Sequence, residues 1–164
     1  MIIVSDTSPI ANLIIVGHVD LLSQLFRSIV IPDMVYRELL ANGEDHLVTQ
    51  TVMAVDWLDI RSVSDLSQVL TLERDYRLDS GEAHAIVLAL ELEAAQLLID
   101  EPLGRRAAKR RGLRMTGILG LLLAAKRQGL ISAVRPVLDR LLSEANFRIS
   151  NQLYVETLAI AEEE

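Results

Sequence analysis

The sequence holds no cysteine among its 164 residues. That excludes disulfide frameworks, thiolate metal sites and cysteine nucleophiles, and it is compatible with a reducing compartment. Aromatic residues make up only 4%, so the core has to be built from Leu, Ile, Val and Ala. No apolar run approaches the ~18 residues of a membrane span. The stretch Met1–Pro9 lacks the basic and apolar regions of a secretory signal, so a soluble, cytoplasmic protein with no membrane partner is expected. Histidine is scarce: His18, His46 and His84 share no metal-ligand spacing, and His84 reads as a helix-surface or interface residue. No GxxxxGK[ST] phosphate loop, repeat, low-complexity tract or linker occurs. A single domain over 1–164 fits this length, with closing helices from about 132 packing on the core or on a partner.

What is present alternates. Ile2-Ile3-Val4 is a β-branched run stopped by Ser5-Asp6-Thr7, the pattern of a buried strand ending at a polar turn. Ser8 is placed to cap a helix with Pro9 at its first position, Ile10, Leu13 and Ile14 giving its apolar face and Gly17 its end. Val19 to Phe26 repeats the helical spacing, Ser28 to Ile31 reads as a strand, and Pro32-Asp33 opens a helix through Leu40. Two amphipathic helices flank Leu58–Arg61, and Leu58 to Val63 is a candidate strand. A strong helix runs from Asp79-Ser80-Gly81-Glu82 to about Ala94, then a strand Gln96–Ile99, a basic helix stopped at Gly112, and a last strand Leu113–Met115. Closing helices are expected over 118–127, 133–142 and 152–161. Buried strands alternating with helices predict a mostly parallel sheet covered on both faces. In such sheets the functional crevice lies beyond the carboxyl ends of the strands, where Asp6 and Asp100 stand.

Four acids stand out against their structural roles. Asp6 fits turn chemistry, yet Ser8 already serves as a cap, which frees the carboxylate for the crevice. Glu38 falls between Met34 and Val35 on a helical wheel, at the edge of the apolar arc, where a carboxylate needs a polar cleft, a cation or a base. Glu82 fits a capping box with Asp79 but also aligns with Ile86 and Leu90 toward the covered side of its helix. Asp79 is then the simpler cap and Glu82 the better ligand. Asp100 is a candidate helix cap, with Glu101 beside it. Together these hard oxygen donors suit Mg²⁺ or Mn²⁺, and such an ion among carboxylates points to phosphodiester hydrolysis.

The net charge of −7 argues against a uniformly basic surface, yet six of the sixteen Lys and Arg residues fall between Arg105 and Arg114. Charge runs are usually solvated helix faces. Directly after Asp100, however, Arg105, Arg106, Lys109 and Arg110 are placed to guide a polyanion toward the acids. With so few aromatics, base reading by stacking is not expected. A haloacid-dehalogenase-like phosphatase would place a second Asp two residues after Asp6, where this chain has Ser8.

The chain resembles PIN-domain proteins of the VapC-like ribonuclease superfamily, most closely a prokaryotic subfamily, over nearly its whole length. The likeness rests on Val4-Ser5-Asp6-Thr7-Ser8-Pro9, Tyr36-Arg37-Glu38-Leu39, Asp79-Ser80-Gly81-Glu82-Ala83 and Leu98-Ile99-Asp100-Glu101 leading into Gly104-Arg105-Arg106-Ala107. Downstream, Gly112 to Gly117, Ala125 to Ile131 and Phe147 to Ser150 match as well. The resemblance implies a Rossmann-like three-layer α/β/α sandwich and an acidic pocket of Asp6, Glu38, Glu82 and Asp100 holding Mg²⁺ or Mn²⁺, with Ser8 or Thr7 assisting. It also implies cleavage of single-stranded RNA, homodimerisation and the role of a toxin paired with an antitoxin protein. Two departures are visible. The third acid, commonly Asp in the wider family, is Glu82, and the hydroxyl often found before the fourth acid is replaced by Leu98 and Ile99, which leaves the fourth ligand open between Asp100 and Glu101. A degenerate PIN-like module that binds nucleic acid or protein without cutting is the alternative.

Overall fold

The computed structural model describes all 164 residues. The first strand, β1 (Ile3–Ser5), is followed by α1 (Thr7–Ile15), α2 (Asp20–Phe26), β2 (Ile29–Pro32), α3 (Asp33–Leu40), α4 (Leu47–Ala54), β3 (Leu58–Arg61) and α5 (Leu66–Tyr76). The chain continues through α6 (Ser80–Glu91), β4 (Gln96–Leu98), α7 (Pro102–Arg110), β5 (Met115–Thr116), α8 (Ile118–Arg127), α9 (Arg135–Glu144) and α10 (Asn151–Ile160). The five strands form one parallel sheet in the order β3-β2-β1-β4-β5.

Strand alternation divides the core into two layers. Ile3, Ile29, Ile31 and Leu98 face a layer of helices that includes Leu13 of α1, Leu39 of α3, Leu122 of α8 and Leu138 of α9. Val4, Val30, Leu97 and Ile99 face the other, built on Leu72 of α5, Ile86 of α6 and Ala107 of α7. The result is the expected three-layer α/β/α sandwich. The last helices complete the first layer, with Val134, Leu141, Phe147 and Leu158 buried in it.

Several boundaries differ from the sequence reading. Ser8 is not the cap of α1: the helix begins at Thr7, Asp6 occupies the N-cap position in extended conformation, and Pro9 lies within the first turn, where proline is tolerated. β1 reaches one residue further than the apolar run, because Ser5 pairs with Leu98 and its hydroxyl is satisfied by the Asp6 carbonyl at 2.8 Å. The last strand is Met115–Thr116, since Leu97 N–H bonds the Arg114 carbonyl and Ile99 N–H the Thr116 carbonyl, which sets the register there. α6 stops at Glu91 rather than near Ala94, where Glu93 takes a positive φ of 50°.

Candidate active site

From β1 the chain moves outward through β2 to β3, then returns to lay β4 on the other side of β1. This reversal opens a crevice beyond the carboxyl ends of β1 and β4. Asp6 leaves the first of these ends and Asp100 the second. The Asp6 amide donates to the Leu98 carbonyl at 2.9 Å, so the two ends are joined directly.

Asp6 is only 3% exposed, and its side chain makes no capping bond. Burial holds its carboxyl well above the usual carboxylate range; the Thr7 backbone pulls it down, and Asp79, Glu82 and Glu38 push it further up. Glu38 comes from α3, which anchors itself through buried Val35 and Leu39. Thr7 Oγ1 donates to Glu38 Oε1 at 3.2 Å. Burial, then the charge of Asp79, raises the Glu38 carboxyl, while the Thr7 bond and His84 oppose that rise. The Glu38 carboxylate lies against Gly81 in the first turn of α6, in space that a β-carbon at that position would fill.

Glu82 enters from the same turn. The Glu82 amide donates to Asp79 Oδ1 at 2.8 Å, and the Asp79 amide donates to Glu82 Oε2 at 3.2 Å, a complete capping box. Glu82 therefore caps its helix and faces the crevice at once. Burial and then Asp79 raise its carboxyl to about 7, with Glu101 and Glu38 adding to the rise against the Asp79 backbone bond.

Asp100 stands somewhat apart. Its Oδ1 accepts the Ile118 amide at 2.9 Å, at the N-terminus of α8, where the helix dipole favours a negative charge. A β-carbon at Gly117 would stand 2.5 Å from that oxygen. Asp100 Oδ2 is buried with no hydrogen-bond partner, and so is Ser8 Oγ. Burial raises the Asp100 carboxyl, Ile118 N–H and Arg105 lower it, and Glu101 raises it. Asp100 does not cap α7; the exposed Glu101 holds that position, without a side-chain bond.

Asp6, Glu38, Glu82 and Asp79 thus share one electrostatic neighbourhood. Asp100 connects to it through Glu101, which acts on both Glu82 and Asp100. No three acids or histidines form a ready-made ligand set. The donors nonetheless fit a hard divalent ion: all are oxygens, Gly81 makes room for one carboxylate, and a second carboxylate keeps an orphaned buried oxygen. His84 is not a surface residue. It is 7% exposed, and its Nδ1 lies 2.7 Å from the Ser80 carbonyl.

A groove of about 1340 Å³ is lined by Ser8, Asp100 and Glu101 and by Arg105, Arg106 and Lys109 of α7, whereas Asp6, Glu38, Glu82 and Asp79 do not line it. Arg105 Nη1 donates to the Ile99 carbonyl at 2.8 Å. Arg110 is not part of the lining. The sequence reading missed Asn12, Asn146 and Arg148, which also line the groove, and it gave Gly81 and Gly117 no role. For Gly81 a signal existed: glycine in the first turn of a strong helix is unfavourable by roughly 0.5–1 kcal/mol against alanine.

The family model for the PIN domain matches residues 2–163. The chain belongs to the PIN-domain family. Members of this family are usually nucleases and generally depend on divalent metal. A PilT N-terminus domain protein from the hyperthermophilic archaeon Sulfolobus solfataricus shares the fold, with a TM-score of 0.57 at 21% identity over 76% of this chain and 93% of that one. No curated protein matches the chain. No helix of this PIN domain is long and apolar enough to cross a membrane.

Proposed function

We propose that this PIN domain is a divalent-metal-dependent endoribonuclease that hydrolyses phosphodiester bonds of single-stranded RNA. Asp6, Glu38, Glu82 and Asp100 are its Mg²⁺- or Mn²⁺-holding acids, with Asp79, Glu101 and Ser8 as secondary candidates. The observation that carries this reading is the burial of Asp6 among Asp79, Glu82 and Glu38, which raises its carboxyl well above the usual carboxylate range and which a cation would offset. A bound divalent ion supplies Lewis-acid polarisation of the scissile phosphate. One of these acids would orient or deprotonate the attacking water. Thr7 fixes the Glu38 carboxylate, and Arg105, Arg106 and Lys109 offer cations to the flanking phosphates.

Cleavage of labelled single-stranded RNA with Mg²⁺ or Mn²⁺ tests the proposal. Metal-dependent cutting by the wild type that is lost in Asp6→Asn is the expected result. Binding without cutting by pure protein overturns it in favour of a non-catalytic module, a reading motivated by Leu98 and Ile99 standing where the family often has a hydroxyl before the fourth acid. The toxin role, its antitoxin partner and a homodimer rest on family resemblance. Growth arrest on induced expression supports the toxin role, and harmless overexpression counts against it.

A further inference from the structure

We propose that the segment Asn146–Ile149 is a wall of the substrate site and that Arg148 anchors a phosphate of the single strand lying in the groove. This rests on the RNA reading above and adds a residue and a segment to it. The segment is irregular but fixed. Asn12, 4% exposed on the otherwise apolar buried face of α1, donates Nδ2 to the Asn146 carbonyl at 3.3 Å. A buried amide on such a face is unfavourable unless it is bonded, so this contact holds the segment against α1. The next residue, Phe147, is 7% exposed and packs into the core. Ser150 Oγ then accepts the Leu153 amide at 3.1 Å and starts α10. Arg148 is therefore presented from a backbone secured on both sides.

The Arg148 side chain is exposed and lines the same groove as Arg105, Arg106 and Lys109. None of these four cations makes an ion pair with a carboxylate, although acids outnumber bases in the chain by seven. Unneutralised cations gathered on one groove from two separate elements suit a polyanion. The same lining includes the apolar side chains of Leu113, Met115, Leu119 and Leu153. A single-stranded nucleic acid matches both features, since it offers phosphates to the cations and unpaired bases to the apolar lining. A duplex buries those base faces in its own stack. Asp100 and Glu101 line the same groove, so a strand held by Arg148 and α7 lies against Asp100.

The test compares wild type, Arg148→Ala and Arg148→Lys for binding of a short fluorescein-labelled single-stranded RNA, and of its duplex, in EDTA across a salt series. Loss of one phosphate contact on a single strand removes about 0.7 of a released counterion, or roughly fivefold in affinity at about 0.1 M salt. The expected result is that loss and the shallower salt slope in R148A, near-wild-type binding in R148K, and duplex affinity unchanged by either substitution. Unchanged circular dichroism melting shows that the variants fold. Equal single-strand affinity and slope in R148A and wild type overturn the role of Arg148, while RNA cleavage by the wild type still supports the nuclease. Absence of both binding and cleavage in the wild type overturns the nuclease reading and this inference together.

Discussion

Gly81 and Glu38 are fitted to one another: a β-carbon at position 81 would occupy the space of the Glu38 carboxylate. One helix thus lacks a side chain where another delivers an acid. Gly81→Ala is expected to displace Glu38 and lower metal-dependent RNA cleavage by about 100-fold, the scale of a 1 Å misplacement at a reacting centre. Its melting temperature is expected to hold, because alanine favours the helix by roughly 0.5–1 kcal/mol. Full activity in the variant would show that Glu38 is dispensable where it stands.

Asp100 and Glu101 are separable by substitution. Asp100 holds a buried oxygen with no partner, whereas Glu101 is exposed and unbonded at the start of α7. Asp100→Asn is expected to reduce cleavage by roughly 100-fold or more, and Glu101→Gln by only a few-fold, on the scale of lost electrostatic stabilisation. Steady-state kinetics on single-stranded RNA decide between them, and the reverse ranking would move the fourth ligand to Glu101.

The acids make stability fall with pH when metal is absent. Glu82 is raised from 4.5 to about 7 and Asp6 well above its ordinary value, so between these limits the folded chain keeps protons that the unfolded chain has released. Stability from this source is complete below the unfolded value and is lost as pH rises through the folded one. In EDTA, Asp6→Asn is expected to melt higher than wild type at pH 8 by ~2–4 °C, or about 1 kcal/mol at this chain length. Mn²⁺ is expected to raise the wild type and not the variant. Thermal melts at pH 5 and pH 8 check both statements, and a wild type that gains stability from pH 5 to pH 8 in EDTA contradicts them.

A second carboxylate works with the opposite sign. Glu163 accepts the Val134 and Arg135 amides at 2.7 and 3.0 Å and pairs with Lys126 at 3.0 Å, tying the end of the chain to the start of α9. These bonds and the lysine hold its carboxyl below the ordinary range despite the opposing effect of burial. Its stabilisation is present above the unfolded value and disappears as pH falls through the folded one. Glu163→Ala is expected to lower stability at neutral pH by about 1 kcal/mol, as for loss of other helix caps, with RNA cleavage at low temperature unchanged. A melt indistinguishable from wild type would show that the tail contributes nothing.

The layered fold was legible because β-branched runs of three or four residues, each ended by polar residues, alternate with helical spacing. The acids of the candidate site were legible for local reasons. Asp6 and Asp100 interrupt apolar strands, Glu38 stands at the edge of an apolar arc, and Glu82 completes a capping box whose helix turns it inward. Ser8 was misplaced as a cap because the hydroxyl-proline pattern at positions 8 and 9 resembles a helix start. The extended Asp6 instead lets the helix begin one residue before Ser8. What stayed hidden depends on partners distant in sequence. Nothing near Gly81 announces the approach of Glu38 from α3, and the bond from Asn12 to Asn146 spans 134 positions. Nothing local marks out Arg148, which the fold sets on the same groove as Arg105, Arg106 and Lys109 of α7.

The Asn12 to Asn146 bond also has a meaning for the order in which the molecule is made. Every acid of the candidate site has left the ribosome while the segment bearing Arg148 is still to be translated. The candidate acids and the segment bearing Arg148 are therefore completed at different moments of synthesis. The groove is whole only once α9 and α10 are docked, since Asn146, Arg148 and Leu153 line it.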